Sequence, residues 1–198
     1  MRNLVIFAIL GFSCVGFSQR IDLSSGRTQK VETQVKRSST GLGMRALRRV
    51  GIGVLAQGEL GFGGLQLEIN PKPEWSIQVG YGGGPEYRAF SFQYKRILSG
   101  ESFLPYFGLG ISRWFNDGSG APISRTNPGV LVEKLMSDSD KANGTIDELL
   151  LTGKLGIQYM TLKGPWIGYA FHADVQLLFD AEDFIMAPTA SFGLNYYF

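Results

Sequence analysis

"SFGLNYYF", residues 191–198, alternates apolar and polar side chains to its last residue. Phe192, Leu194, Tyr196 and Phe198 share one parity, and Ser191, Gly193, Asn195 and Tyr197 share the other. Successive side chains of a β-strand point to opposite faces, so this is a strand with one apolar face. Exposed aromatics at a fraying terminus gain nothing from water. The first set therefore needs an apolar surface against it.

The same period of two recurs upstream. "RVGIGVLAQG" aligns Val50, Ile52, Val54 and Ala56, and "LQLEIN" sets Leu65, Leu67 and Ile69 against Gln66, Glu68 and Asn70. "EWSIQVGYG" sets Trp75, Ile77, Val79 and Tyr81 against Ser76, Gln78 and Gly80. "YRAFSFQYKR" and "FLPYFGLGISRWF" follow, with Phe90, Phe92 and Tyr94 on one face of the first and Phe107, Leu109 and Ile111 on one face of the second. "ELLLTGKLGIQYM" and "WIGYAFHADVQLLF" complete the set before the closing strand at about 187–198. Eight strands result, near or above the roughly 9–11 residues that cross a bilayer at a tilt.

Composition agrees with two-faced strands. The chain is 44% hydrophobic, 13% aromatic and carries 27 glycines, without long apolar runs downstream of its first residues. A net charge of +2 is too small for a nucleic-acid binder. The opening "MRNLVIFAILGFSCVGFSQ" has Arg2, then an apolar stretch too short for a membrane helix, then small residues. It reads as a secretory signal over 1–18, cleaved near Ser18. A lipoprotein signal at Cys14 is disfavoured, because "GFSC" lacks the aliphatic residue three places before the cysteine. Loss of Cys14 with the signal leaves no thiol chemistry.

Residues 19–47 are polar and lack periodicity; through Arg49 eight Lys/Arg stand against Asp22 and Glu32. This predicts a mobile periplasmic arm. The barrel is then expected over 48–198. With both termini on one side, the turns 71–73, 98–102 and 161–165 fall at that end, where "PKP" is expected to end its ladder. The connections near 59–63, 82–86, 116–147 and 180–186 fall at the other. The one long loop, 116–147, lies in the second group, and bacterial outer-membrane barrels show this asymmetry. On the outward parity, Trp75, Tyr94, Phe103, Tyr159, Tyr196 and Phe198 mark one rim, and Tyr81, Phe115, Phe179 and Phe184 mark the other. Two such belts are expected at membrane interfaces.

Taken over residues 48–198, the chain resembles small bacterial outer-membrane β-barrels of the OmpW-like and OmpA-like class. The fold class expected is all-β, a closed antiparallel up-and-down barrel. The resemblance implies that Phe192, Leu194, Tyr196 and Phe198 form the C-terminal signal read by the barrel-assembly machinery. It also implies a Gram-negative outer membrane, with lipid and lipopolysaccharide as surroundings, both termini periplasmic and a monomeric state.

Lipid offers no hydrogen-bond partner, so the sheet must close. Eight strands leave a lumen only just wide enough for side chains to fill. The inward set Glu68, Lys95, Lys154, His172 and Asp174 is expected to form a polar network there, with Lys154 meeting Asp174. His172 and Asp174 on one strand face could serve a hydrolase with Ser191 as nucleophile, but a packed lumen denies substrate access. "SDSDKANGTIDE" has the oxygen-bearing residues of a calcium loop, Asp138, Asp140, Asn143 and Asp147. Counted from Asp138, Gly144 falls one place late for an EF-hand, and no glutamate stands at the twelfth position. "NPGVLVEKLM" suggests a short helix, capped by Asn127 with Pro128 first, whose Val130, Leu131, Leu135 and Met136 need cover. The "GLG" and "GIG" pairs are not phosphate loops. No cofactor and no catalytic residue is implied. The expected role is structural or surface-interacting, with a narrow channel for small solutes or apolar molecules as the alternative and a lipid-A-modifying enzyme as a third reading.

Overall fold

A computed structural model describes residues 40–116 and 130–198. The signal segment 1–18, most of the basic arm, Asn127 and Pro128 lie outside the described residues. Eight antiparallel strands close on themselves: β1 Val50–Ala56, β2 Gly63–Lys72, β3 Trp75–Gly84, β4 Tyr87–Ile97, β5 Phe103–Phe115, β6 Asp147–Met160, β7 Tyr169–Asp180 and β8 Met186–Tyr197. Each pairs with its sequence neighbours, and β1 closes on β8 from Gly51 opposite Tyr197 to Ala56 opposite Phe192.

Parity sets the two faces. Ile52, Val54, Leu65, Phe92, Leu109, Leu155, Val175 and Phe192 are exposed on the outer wall, while Gln66, Glu68, Gln78, Lys95, Lys154 and Asp174 are buried inside. The connections at the end holding the C-terminus are 73–74, 98–102 and 161–168; those at the opposite end are 57–62, 85–86, 116–146 and 181–185. Several boundaries differ from expectation: the connection at 161–165 runs on to 168, so β7 starts at Tyr169, that at 82–86 narrows to 85–86, and that at 71–73 moves to 73–74. Pro71 lies inside β2, whose register with β3 shifts between Ile69 and Lys72. A proline lacks only the N–H, and an irregularity in the ladder accommodates it.

Two further differences matter more. The arm does not continue to residue 47 as a solvated leader: Gly41–Leu47 form helix α1. Thr40 caps it by accepting from the Gly43 N–H at 3.1 Å, and the Gly41 N–H donates to the Glu101 carbonyl at 2.6 Å. At the other end the long connection holds α2, Val130–Leu135, and α3, Asp138–Asn143. The helix expected there exists, yet it buries Val132, Leu135 and Met136 and leaves Val130 exposed.

The interior is therefore layered. Met44 of α1 joins Ile97, Leu104, Tyr106, Met160, Leu162, Ala170 and Tyr197 in an apolar cap at the terminal end. At the loop end, Val132, Leu135 and Met136 pack over Tyr87, Trp114, Leu150 and Leu178. Tyr87 and Trp114 stack with ring centroids 5.2 Å apart. Between the caps the lumen is polar.

Candidate functional site

The lumen holds the chain's concentrated chemistry, and residues from outside the wall complete it. From the terminal end, α1 inserts Arg45, which is fully buried. Its Nη1 donates to Glu68 Oε1 at 2.7 Å and to the Tyr197 hydroxyl at 3.2 Å, its Nη2 to Asn70 Oδ1 at 2.6 Å, and its Nε to the Pro73 carbonyl at 2.8 Å. Arg48, one turn on, donates to the backbone carbonyls of Ile167 and Tyr197 at 3.2 and 2.8 Å. Together the two arginines tie the helix to the seam where β8 meets β1.

From the loop end, the β1–β2 connection folds inward as a single 3-10 turn, Gly58–Leu60. Gly58 takes φ +81°, and a Cβ there would lie 2.6 Å from Gln176 Oε1, so this position needs glycine twice over. The turn lowers Glu59 into the barrel, where it is 2% exposed. Glu59 Oε1 accepts from Lys154 Nζ at 3.1 Å, and its Oε2 accepts from Gln176 Nε2. Its carbonyl accepts from Ser112 Oγ at 2.6 Å and from Trp114 Nε1 at 2.9 Å.

Gln78 joins the two halves. Its Oε1 accepts from Lys154 Nζ at 2.9 Å, and its Nε2 donates to Glu68 Oε2 at the same distance. A continuous polar ladder thus runs Arg45–Glu68–Gln78–Lys154–Glu59 down the barrel. Lys95 branches from it, donating to Glu68 Oε2 at 3.3 Å and to Gln158 Oε1 at 2.7 Å, with its ammonium 4.4 Å from the Tyr106 ring centroid. Asn195 Nδ2 also reaches Glu68, at 3.2 Å.

Of the five lumen residues expected from sequence, Glu68, Lys95 and Lys154 join this ladder, but Lys154 does not meet Asp174. Asp174 accepts instead from Tyr106 at 2.5 Å, Ser191 at 2.7 Å and Gln176 at 2.7 Å. The flexible lysine stem reaches past its neighbouring strand to the carboxylate that the inserted turn brings down. His172 lies beside Gly193, where a Cβ would collide with its ring, and its Nδ1 has no hydrogen-bond partner among the described residues. Ser191 donates to Asp174 rather than to the imidazole, so these three residues do not form a nucleophile–base pair. Arg45 and Glu59 were not found from sequence. Their only local marks are Thr40 as a helix cap and the glycines around "GELG".

The aromatic positions fall on the outer wall, several in ring contacts. Trp75 and Tyr94 have centroids 5.7 Å apart, Phe103 and Tyr159 4.9 Å, and Phe179 and Phe184 5.9 Å. Tyr81 is exposed and Phe115 half-buried. Tyr196 of the closing strand lies 4.9 Å from Tyr169, which in turn contacts Trp166. Leu194 is half-buried and Phe198 exposed at the same seam. Among the described residues, Asp140 and Asp147 of the acidic stretch do not share a centre. Asp140 bonds Ser137 at the start of α3, and Asp147 pairs with Arg113 through two bonds of 2.8 and 2.9 Å. The side chain of Asp138 lies outside the described residues. Both partners of the Arg113–Asp147 pair are more than half exposed. Asp147→Asn is therefore expected to leave the heat-induced unfolding of the barrel unchanged, as read by its gel migration against temperature.

The barrel resembles the N-terminal β-barrel domain of Pseudomonas aeruginosa OprF, known from a crystal structure, with a TM-score of 0.54 over 76% of this chain and 98% of that one. The two are 12% identical, so the likeness is one of fold. No protein-family model matches the chain, and no curated protein matches it in sequence.

Proposed function

We propose that this chain is an integral outer-membrane barrel whose lumen is plugged from both ends, with a structural or surface-interaction role. One observation carries the reading: Arg45 and Glu59 enter the lumen from opposite ends and are tied to each other through Glu68, Gln78 and Lys154. A conducting lumen needs mobile water along its axis. Here the axial positions are taken by hydrogen-bonded side chains and closed above and below by apolar caps.

The outer wall supports the membrane part of the proposal. Leu65, Leu109, Leu155, Val175 and Phe192 are each 60–70% exposed, and smaller apolar residues continue the band around the barrel. Soluble monomers rarely expose contiguous apolar patches above a few hundred Å², whereas a lipid-facing wall requires them. The long loop-end connection, which carries α2 and α3, supports placing that end outside and the termini in the periplasm. The row Phe192, Tyr196 and Phe198 is exposed on the outer face along the seam, in keeping with an assembly signal.

Full-length mature protein reconstituted into planar bilayers is expected to give no steady conductance step. A reproducible wild-type conductance overturns the plugged reading in favour of a channel. Lipid A from cells with and without the protein is expected to give the same mass spectrum; a change in acyl content would instead support catalysis.

A further inference from the structure

Three carboxylates converge at the loop end of the barrel, outside the ladder just described. Glu148 points inward from β6, Asp180 ends β7, and Asp183 follows in the tight β7–β8 connection. One oxygen from each lies within 4.8 Å of the others. The first two are deeply buried, at 3% and 0% exposure, while Asp183 is exposed. The connection is built to hold them. The Asp180 N–H donates to the Ile185 carbonyl at 2.9 Å, its Oδ1 accepts from the Glu182 N–H at 2.9 Å, and the Ala181 N–H reaches the Leu149 carbonyl at 3.3 Å. Phe184 takes φ +57°, a left-handed conformation uncommon for an aromatic residue, to turn the chain back within so few residues.

A second observation separates this cluster from ordinary surface acidity. Glu148 Oε1 and Asp180 Oδ2 are buried and accept no hydrogen bond among the described residues. Elsewhere in the interior, carboxylates are met by donors: Glu68 by Arg45, Lys95, Gln78 and Asn195, and Glu59 by Lys154 and Gln176. Two buried carboxyl groups this close are costly unless a proton or a cation lies between them, since desolvation and mutual repulsion are otherwise not offset. Asp140 on α3 adds further negative potential at Glu148.

We infer that Glu148, Asp180 and Asp183 bind one divalent cation, with calcium as the best fit. The donor set is hard oxygen, and calcium accepts carboxylates at about 2.3–2.6 Å in flexible geometry, with water completing its shell. Oxygens that lie within 4.8 Å of one another can all reach one such ion, and calcium's flexible shell tolerates ligands fixed by separate strands better than the strict octahedron of magnesium at about 2.0–2.1 Å per bond. The cation would tie the ends of β6 and β7 to the connection leading into β8, at the rim that α2 covers. Of the acidic stretch 137–148 the site takes only Glu148, its last residue, and the inference does not depend on whether the barrel conducts.

The test uses the full-length mature protein folded in detergent and stripped with a chelator. Titration with calcium chloride, followed by calorimetry and by the temperature at which gel migration shifts, is expected to show one ion bound and a raised unfolding temperature. Glu148→Gln and Asp180→Asn are expected to weaken binding at least about tenfold and to remove the calcium-dependent rise. Asp147→Asn, at the same rim but paired with Arg113, is expected to bind as the wild type does. Should a variant fail to fold, Asp183→Asn on the exposed side of the site provides the same comparison. Absence of wild-type binding at millimolar calcium overturns the inference, as does equal binding by folded Glu148→Gln and Asp180→Asn.

Discussion

Glu68→Ala is expected to cost about 3–5 kcal/mol of unfolding free energy, the range for breaking a buried ion pair by removing one partner. Glu68 is fully buried and is the common acceptor of Arg45 at 2.7 Å and Lys95 at 3.3 Å. Its loss leaves two buried cations without a counter-charge, and Gln78 and Asn195 without an acceptor. The penalty comes from what is stranded more than from the bonds removed. A second variant separates these causes. In R45M/E68M/K95M the cations leave with the carboxylate, and apolar side chains of similar length fill the space. Most of the lost stability is expected to return, because a buried ionic cluster replaced as a whole by apolar groups is often neutral. Urea unfolding of the barrel in phospholipid vesicles measures both. A loss below about 1 kcal/mol for Glu68→Ala would mean that water solvates this layer, against the packed lumen described above.

The wall of this barrel was legible in the sequence, and its filling was legible only in part. Strand parity is a local property: Phe192, Leu194, Tyr196 and Phe198 announce one face without reference to anything distant. Closure follows from the same pattern, because strands apolar outside and polar inside have no other way to pair their edges. The inward charges Glu68, Lys95 and Lys154 were also readable from parity. Their partners were not. Arg45 lies among basic residues that look like a solvated leader, and only its place one turn after the Thr40 cap hints at a helix. Glu59 lies in a glycine-rich connection, where backbone freedom hides the direction of the turn. Lys154 and Asp174 are near neighbours on paired strands, with Gly156 opposite Asp174 and Lys154 opposite Gln176. Adjacency nevertheless did not decide the pairing, because a long side chain pairs with whichever carboxylate is left unmet. Asp174 was already met by Tyr106, Ser191 and Gln176. Plugs are long-range features: their sequence signals are brief, and their energetic justification lies on other strands. The convergence of Glu148, Asp180 and Asp183 has the same character, since Glu148 is distant in sequence from its two companions.

Leu155→Arg is expected to cost about 2–4 kcal/mol when the barrel is unfolded from phospholipid vesicles, the penalty for a cation on the lipid face near the midplane. Leu155 is 70% exposed on the outer wall near the middle of β6, opposite Phe107 on one side and Val175 on the other. Nothing inside the protein depends on it, so the folded chain alone gives no reason for a loss; an exposed substitution in water changes stability by only about 0.5 kcal/mol. The comparison that isolates the surroundings is Val130→Arg. Val130 is 84% exposed on α2, beyond the loop-end rim, and its substitution is expected to stay within about 0.5 kcal/mol of the wild type. The two sites are alike in exposure and differ in what lies beyond the protein surface. If both substitutions prove equally silent, the apolar wall faces water, and the membrane reading fails together with the role built on it. A penalty at Leu155 alone places hydrocarbon against the wall, which is the surface that the alternation ending at Phe198 requires.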